Sequence, residues 1–157
     1  MANNLYPEGY DDETIESGDL ADASAVGYMP GVAFDYKTGD FVRDGQNKLQ
    51  EASGIVSWQQ WCKNCLQTER YKHLAYSSDF GIEVDRIFAA ESQEEAESIL
   101  ERQVTEAIMA DPYGRTAYIR DIETEWTAPD AVQVNLTIVG IDDVTIDITA
   151  NITEGES

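Results

Sequence analysis

Hydrophobic and polar positions along this chain follow two periods. Towards the C-terminus the period is two: Val132, Val134, Leu136 and Ile138 alternate with Gln133, Asn135 and Thr137. After a turn over Gly140 to Asp143, Val144, Ile146 and Ile148 alternate with Thr145, Asp147 and Thr149. Successive side chains of a strand point to opposite faces, so each run predicts a strand with one apolar and one polar face. Ala117 to Trp126 predicts a strand ahead of them, with Thr127-Ala128-Pro129-Asp130 as the connecting turn.

The middle of the chain has the helical period. Ile55, Trp58, Cys62, Cys65 and Leu66 recur at three- and four-residue steps, which predicts a helix from Gly54 to about Arg70, with Trp61 widening its apolar stripe. A second helix is better marked. Ser92-Gln93-Glu94-Glu95 is a capping-box pattern, and Ala96, Ile99, Leu100, Gln103, Val104, Ala107 and Ile108 then hold the period. Asp111-Pro112 ends it, because proline lacks the N–H that would continue the ladder.

Upstream, Val32 to Tyr36 and Phe41 to Arg43 predict a β-hairpin around Lys37-Thr38-Gly39-Asp40, with Gly39 free to take a positive φ. Asp44 to Asn47 predicts a further turn, and Lys48 to Ala52 a third short strand. Residues 1–30 hold no sustained period and are rich in Asp, Glu, Gly, Ser and Ala, which predicts an acidic flexible tail. Within it, a peptide such as Leu20 to Met29 could still order on a partner. A bare meander is not stable alone, so the helices must cover the apolar face of the sheet. The expected fold is α+β: an N-terminal β-hairpin, two helices and a C-terminal antiparallel sheet in one compact domain over residues 31–153, with a C-terminal tail at 154–157.

Charge narrows the possible partners. The 157 residues hold 31 acids against 10 Lys and Arg, a net of −21. Residues 1–30 carry seven acids and residues 121–157 carry nine, with no Lys or Arg in either, so all ten basic residues lie in 31–120. Such a chain repels phosphate backbones and anionic bilayers, which argues against nucleic-acid and membrane partners. The acidic flanks either confer solubility or face a basic partner. No apolar run approaches the ~18 residues of a membrane span. Met1 to Tyr6 lacks the basic and apolar regions of a secretory signal, so a cytosol-like compartment before assembly is the expectation.

Candidate chemistry is sparse. Cys62 and Cys65 form a CxxC, but a zinc site needs two further ligands, and His73 is the only histidine. The pair also lies inside a helical pattern rather than at a helix start, so two small apolar residues on a packed face are expected. There is no phosphate-loop or dinucleotide motif and no nucleophile setting around His73. Asp142, Asp143 and Asp147 lack the spacing of a calcium loop and read as solvated turn and strand-face acids. No cofactor, no metal and no enzymatic activity are expected. The alternative is a hydrolase using paired carboxylates, for which Glu69, Asp79, Glu83 and Asp85 are the best placed.

The most informative stretch runs from Leu66 to Val84. A helix ends in Glu69-Arg70, an aromatic-rich linker follows, and Asp79-Phe80-Gly81 makes a turn. Tyr71, Tyr76 and Phe80 are either core residues sealing one end of the sheet or partly exposed interface anchors.

Four pieces in this order carry a resemblance. Phe34-Asp35-Tyr36-Lys37-Thr38-Gly39-Asp40-Phe41 is similar to an "FDFxTGDF" opening, and Trp61 and Thr68-Glu69-Arg70-Tyr71 follow. Tyr76-Ser77-Ser78-Asp79-Phe80-Gly81-Ile82-Glu83 is similar to "YSxDYGxE", and Ile108 to Pro112 is similar to the end of "ALLxDPRI". Together they resemble the XkdS-like proteins of contractile phage tails, relatives of the GPW or gene-25-like baseplate wedge proteins, over residues 32–150. The resemblance implies a structural virion subunit, present in six copies around the tail tube or hub. It implies contacts with a baseplate J-like wedge protein and its small companion, and a sheet edge on which the tail sheath starts. Glu69 and Arg70 look like the Glu/Arg motif that precedes the turn in that family, although Tyr71 stands where some members have proline. The protein-interaction residues it implies are Thr68, Glu69, Arg70, Tyr71, Tyr76, Asp79, Phe80, Gly81 and Glu83. It also implies a baseplate location with assembly in the host cytoplasm. Some members are described as lysozymes, which is the peptidoglycan-hydrolysing alternative.

Overall fold

A computed structural model describes residue 28 and residues 30–155. The remainder of the expected N-terminal tail and the last two residues lie outside the described residues. Strands β1 (Gly31–Val32) and β4 (Glu51–Ala52) pair antiparallel, and β2 (Phe34–Asp35) pairs with β3 (Asp40–Phe41) around Gly39, whose φ is +72°. The hairpin is thus where the sequence puts it. The third short strand pairs with β1 through Glu51 and Ala52, and meets the hairpin at an Arg43–Leu49 bridge.

Helix α1 spans Gly54–Gln67, with Ser53 as N-cap accepting from the Val56 N–H. Trp58, Cys62, Cys65 and Leu66 are buried as the stripe predicts, whereas Ile55 is partly exposed. The helix stops three residues before the expected Arg70. Thr68 turns to extended backbone, and its hydroxyl donates to the Asn64 carbonyl at 2.7 Å. A short helix α2 (Val84–Phe88), absent from the expected elements, buries Val84 and Ile87. Helix α3 (Gln93–Met109) begins as predicted, with the Ser92 Oγ accepting from the Glu95 N–H at 3.2 Å. The Glu95 carboxylate reaches back to the Glu91 N–H at 3.0 Å, one residue beyond the reciprocal capping-box partner.

Strands β5 (Thr116–Ala128), β6 (Ala131–Gly140) and β7 (Thr145–Thr153) form an antiparallel sheet in the order β5-β6-β7. Val132, Val134, Leu136 and Ile138 on β6 and Ile146, Ile148, Ala150 and Ile152 on β7 all face the core. Helix α1 packs against β7 and helix α3 against β5, so the helices cover one face and leave the other polar.

One residue assigned to the tail belongs to this core. Tyr28 is buried against Trp58, with ring centroids 5.2 Å apart, and its hydroxyl donates to Asp142 at 2.7 Å. The packed unit therefore reaches back at least to Tyr28, three residues before the expected boundary at 31. A side chain at Gly140 would overlap the Tyr28 hydroxyl, which explains a glycine at the end of a strand. An isolated tyrosine in an acidic, aperiodic stretch gives no sequence signal of such packing.

Candidate functional site

The nine residues singled out in the sequence form one loop, closed at its base by backbone pairing. Thr68 leaves helix α1 extended, so its carbonyl accepts the Ile82 N–H at 3.0 Å and the Arg70 N–H donates to the Ile82 carbonyl at 2.8 Å. These bonds make a short parallel bridge between Glu69 and Ile82. The Arg70 Nε donates to the Gly81 carbonyl at 3.0 Å, holding the turn from the side. Gly81 has φ +91°, and an added Cβ would lie 2.5 Å from the Thr68 carbonyl oxygen, so only glycine fits the crossing. Its N–H points at the Cys65 sulfur at 3.4 Å, which gives that cysteine a second task beside filling space.

Above this base the aromatic residues divide. Phe80 is half-buried and meets Trp61 edge-on at 5.7 Å, and Tyr76 stacks on Phe80 at 4.6 Å. Tyr76 is 53% exposed, Tyr71 is 68% exposed, and Leu74 is fully exposed. Of the two readings of these aromatics, Phe80 fits the packing one, while Tyr71 and Tyr76 stand out in solvent. Tyr71 also takes φ +69°, a left-handed conformation unusual for a bulky residue. Asp79 is exposed at the turn. Glu69 pairs with Lys72, and Glu83 accepts from Arg86 at 3.4 Å while its N–H donates to the Gln103 side chain at 2.5 Å.

Sequence reasoning missed what lies beneath this loop. Asp111, taken as a helix stop, forms a buried two-pronged ion pair with Arg115, at 2.7 Å from Nε and 3.0 Å from the second nitrogen. The same carboxylate accepts the backbone N–H groups of Tyr113 and Arg115. The Arg115 guanidinium lies 5.8 Å from the Trp61 ring and 5.0 Å from that of Tyr113. A run of ring contacts therefore extends from exposed Tyr113 through Arg115, Trp61, Phe80 and Tyr76 to His73. The Asp-to-Arg spacing of four was the available signal. It spans a proline and a glycine, Pro112 and Gly114, across which spacing no longer reports a helix face.

A groove of about 470 Å³ is lined by Phe88, Trp126 and Pro129, and another of about 370 Å³ by Phe34, Tyr36 and Ile148. Neither includes Glu69, Asp79, Glu83 or Asp85. Burial pushes the Cys65 thiol up to about 11 and Cys62 higher still, so neither is a ready thiolate. Among the described residues, no three His, Cys, Asp or Glu side chains converge to hold a metal ion, and no helix is long and apolar enough to cross a membrane.

These features are those of a small α+β assembly domain: a sheet covered on one side and a clamped loop that exposes aromatic residues. The chain belongs to the contractile injection system sheath initiator family, whose model matches residues 31–143. It is a structural component of the tail, at the level of baseplate and sheath. Its fold is similar to that of a crystal structure from Geobacter sulfurreducens, of a protein provisionally named a tail lysozyme. The TM-score is 0.54 at 18% identity, over 68% of this chain and 96% of that one, a likeness of fold alone. A comparison with curated proteins finds no match.

Proposed function

We propose that this chain is the wedge subunit on which the sheath of a contractile tail, or tail-like injection particle, starts. Six copies encircle the tail tube or hub, and each offers an edge of the β5-β6-β7 sheet to a strand from the first sheath ring. The loop from Thr68 to Glu83 contacts the wedge scaffold, a J-like protein and its small companion. One observation carries this reading: both outer strands of the sheet lack a backbone partner on one side among the described residues. An unpaired edge is a template for strand addition, and an assembly that fills it also removes an aggregation hazard. The exposed Tyr71, Leu74 and Tyr76 suit the loop to burial in a second interface. The subunit would assemble in the host cytoplasm and end in the baseplate.

Co-expression with the J-like, companion and sheath proteins tests this. The chain should co-purify with the wedge scaffold, and Tyr71→Ala with Tyr76→Ala should weaken that complex at least tenfold without changing the fold. Absence of any complex, or release of labelled peptidoglycan by the purified chain, would refute the proposal. Arg70→Ala is a poorer probe than the sequence suggests, because Arg70 also supports the Gly81 carbonyl.

A further inference from the structure

Among the described residues the sheet has two free edges, and they are not equivalent. All three register irregularities lie between β5 and β6, at Thr116/Tyr118, Ile119/Asp121 and Trp126/Ala128, and each puts two β5 residues against one step of β6. Bulges of this kind bend an edge and interrupt its row of donors and acceptors, a common protection against strand addition. Strand β7 pairs with β6 through nine successive positions without a shift.

The direction of the β7 backbone groups follows from the flanking bonds. The Gly140 N–H donates to the Val144 carbonyl at 2.7 Å, and the Glu154 N–H to the Asp130 carbonyl at 2.8 Å. With unbroken register between them, the even-numbered β7 residues bond to β6. Thr145, Asp147, Thr149, Asn151 and Thr153 therefore turn their N–H and C=O outward. The Asp147 carbonyl confirms this, since it is met from outside by the exposed Gln59 side-chain amide at 3.1 Å.

Beside this straight edge runs the groove of about 370 Å³, with Phe34 and Tyr36 of the hairpin facing Asp147, Ile148 and Thr149 across Val56 and Gln59 of α1. The hairpin is held in place by the Gln60 amide, which accepts the Phe34 N–H at 2.9 Å and donates to the Val32 carbonyl at 3.0 Å. A strand added to β7 would put alternate side chains into this groove and the others on the polar face. That polar face is acidic. Asp147 pairs with Thr137, which on its other side pairs with Asp121, and Glu123 and Glu125 follow along β5.

We infer that the sheath strand adds to the free edge of β7 rather than β5, with apolar side chains entering the Phe34–Tyr36–Ile148 groove and neutral or basic side chains facing outward. The inference rests on the function proposed above and specifies which edge serves it. Gln59 holds the Asp147 carbonyl until the strand arrives and then gives way.

Amide hydrogen exchange on the full chain, alone and in complex with the cognate sheath subunit, tests the assignment. The Thr149 and Asn151 amides should exchange freely alone and slow at least tenfold in the complex, while Ile122 and Thr124 on the β5 edge are unchanged. Slowing at Ile122 and Thr124 instead overturns the edge assignment but leaves the proposed function standing. Slowing at neither edge, or no complex, overturns the proposed function itself. Slowing already present in the free chain overturns the assignment, the edge then being filled within the molecule or by a second copy. Thr149→Pro, which removes one outward N–H, should reduce sheath binding at least tenfold while J-like binding persists, and Thr124→Pro should leave sheath binding intact. If a proline variant fails to fold, the exchange measurement on the unaltered chain decides.

Discussion

Gly81→Ala should uncouple the site loop from the domain at a calculable cost. The alanine Cβ would lie 2.5 Å from the Thr68 carbonyl oxygen, about an ångström inside ordinary contact, and the opposing atoms are backbone. A side chain at φ +91° adds about 1–2 kcal/mol of conformational strain. Relieving the overlap moves the two segments apart and weakens the Ile82–Thr68 and Arg70–Ile82 bonds, each worth about 0.5–1.5 kcal/mol net. The sum is about 2–5 kcal/mol, or a fall in Tm of about 4–20 °C for a domain of this size. Urea and thermal unfolding followed by circular dichroism would measure it. Amide exchange should speed up at Arg70 and Ile82, while Leu136 and Ile138 in the central strand stay protected. A loss below about 0.5 kcal/mol with unchanged exchange at Arg70 and Ile82 would show that the crossing does not hold the loop.

Other perturbations test the frame around it. Arg115→Met leaves the Asp111 carboxylate buried without its cation and should cost about 3–5 kcal/mol in urea unfolding. A cost under 1 kcal/mol would mean that water reaches the pair. Ser92→Ala removes the α3 cap and should cost about 1 kcal/mol in the same assay, with no change in partner binding. Cys62 and Cys65 should resist a thiol reagent at pH 8 in the folded protein and react once urea unfolds it; prompt labelling of the native chain would contradict their burial. Burial raises the Cys65 thiol from its ordinary 9.0 to about 11, so the folded state holds its proton longer than the unfolded one. That contribution to stability is whole below pH 9 and is lost as pH rises to about 11, which unfolding midpoints measured across that window would detect.

The parts legible in the sequence are those where a period or a cap dictates geometry. The alternation on β6 and β7, the stripe on α1 and the Ser92 cap each reflect a local rule, and each stands where expected. The end of α1 was misplaced because it is fixed by a partner distant in sequence: Thr68 leaves the helix to bond with Ile82. Helix α2 was missed because five residues hold too little of a period to register. Tyr28 escaped notice because its burial depends on two glycines, Gly54 and Gly140, that leave it room from separate elements. The loop residues were recognisable by resemblance, yet their division into clamp and exposed surface was not. Arg70, Phe80 and Gly81 face inward to the base, whereas Tyr71 and Tyr76 face out, and nothing in their spacing distinguishes them.

The buried ion pair explains how a loop without regular structure can present a defined surface. Thr68 to Glu83 is closed on itself by two backbone bonds and the Arg70 contact, and is tied to the domain at its base by the Gly81 N–H on Cys65 and the Glu83 N–H on Gln103, which fix its origin but not its tilt. Tilt is set by Phe80 on Trp61 and by the Arg115 guanidinium beside that same indole. A long cationic side chain would ordinarily be a poor support, because it loses rotamer freedom on being held. Asp111 removes that freedom through two parallel bonds, and its own carboxylate is fixed by the Tyr113 and Arg115 N–H groups. The rigid element beneath the loop is therefore the junction between α3 and β5. It follows that a change at Arg115 should loosen the exposed aromatics at Tyr76 and Tyr113 without touching the free edge of β7. Scaffold binding would weaken while strand addition at β7 persisted, which separates the two interfaces by a residue that belongs to neither.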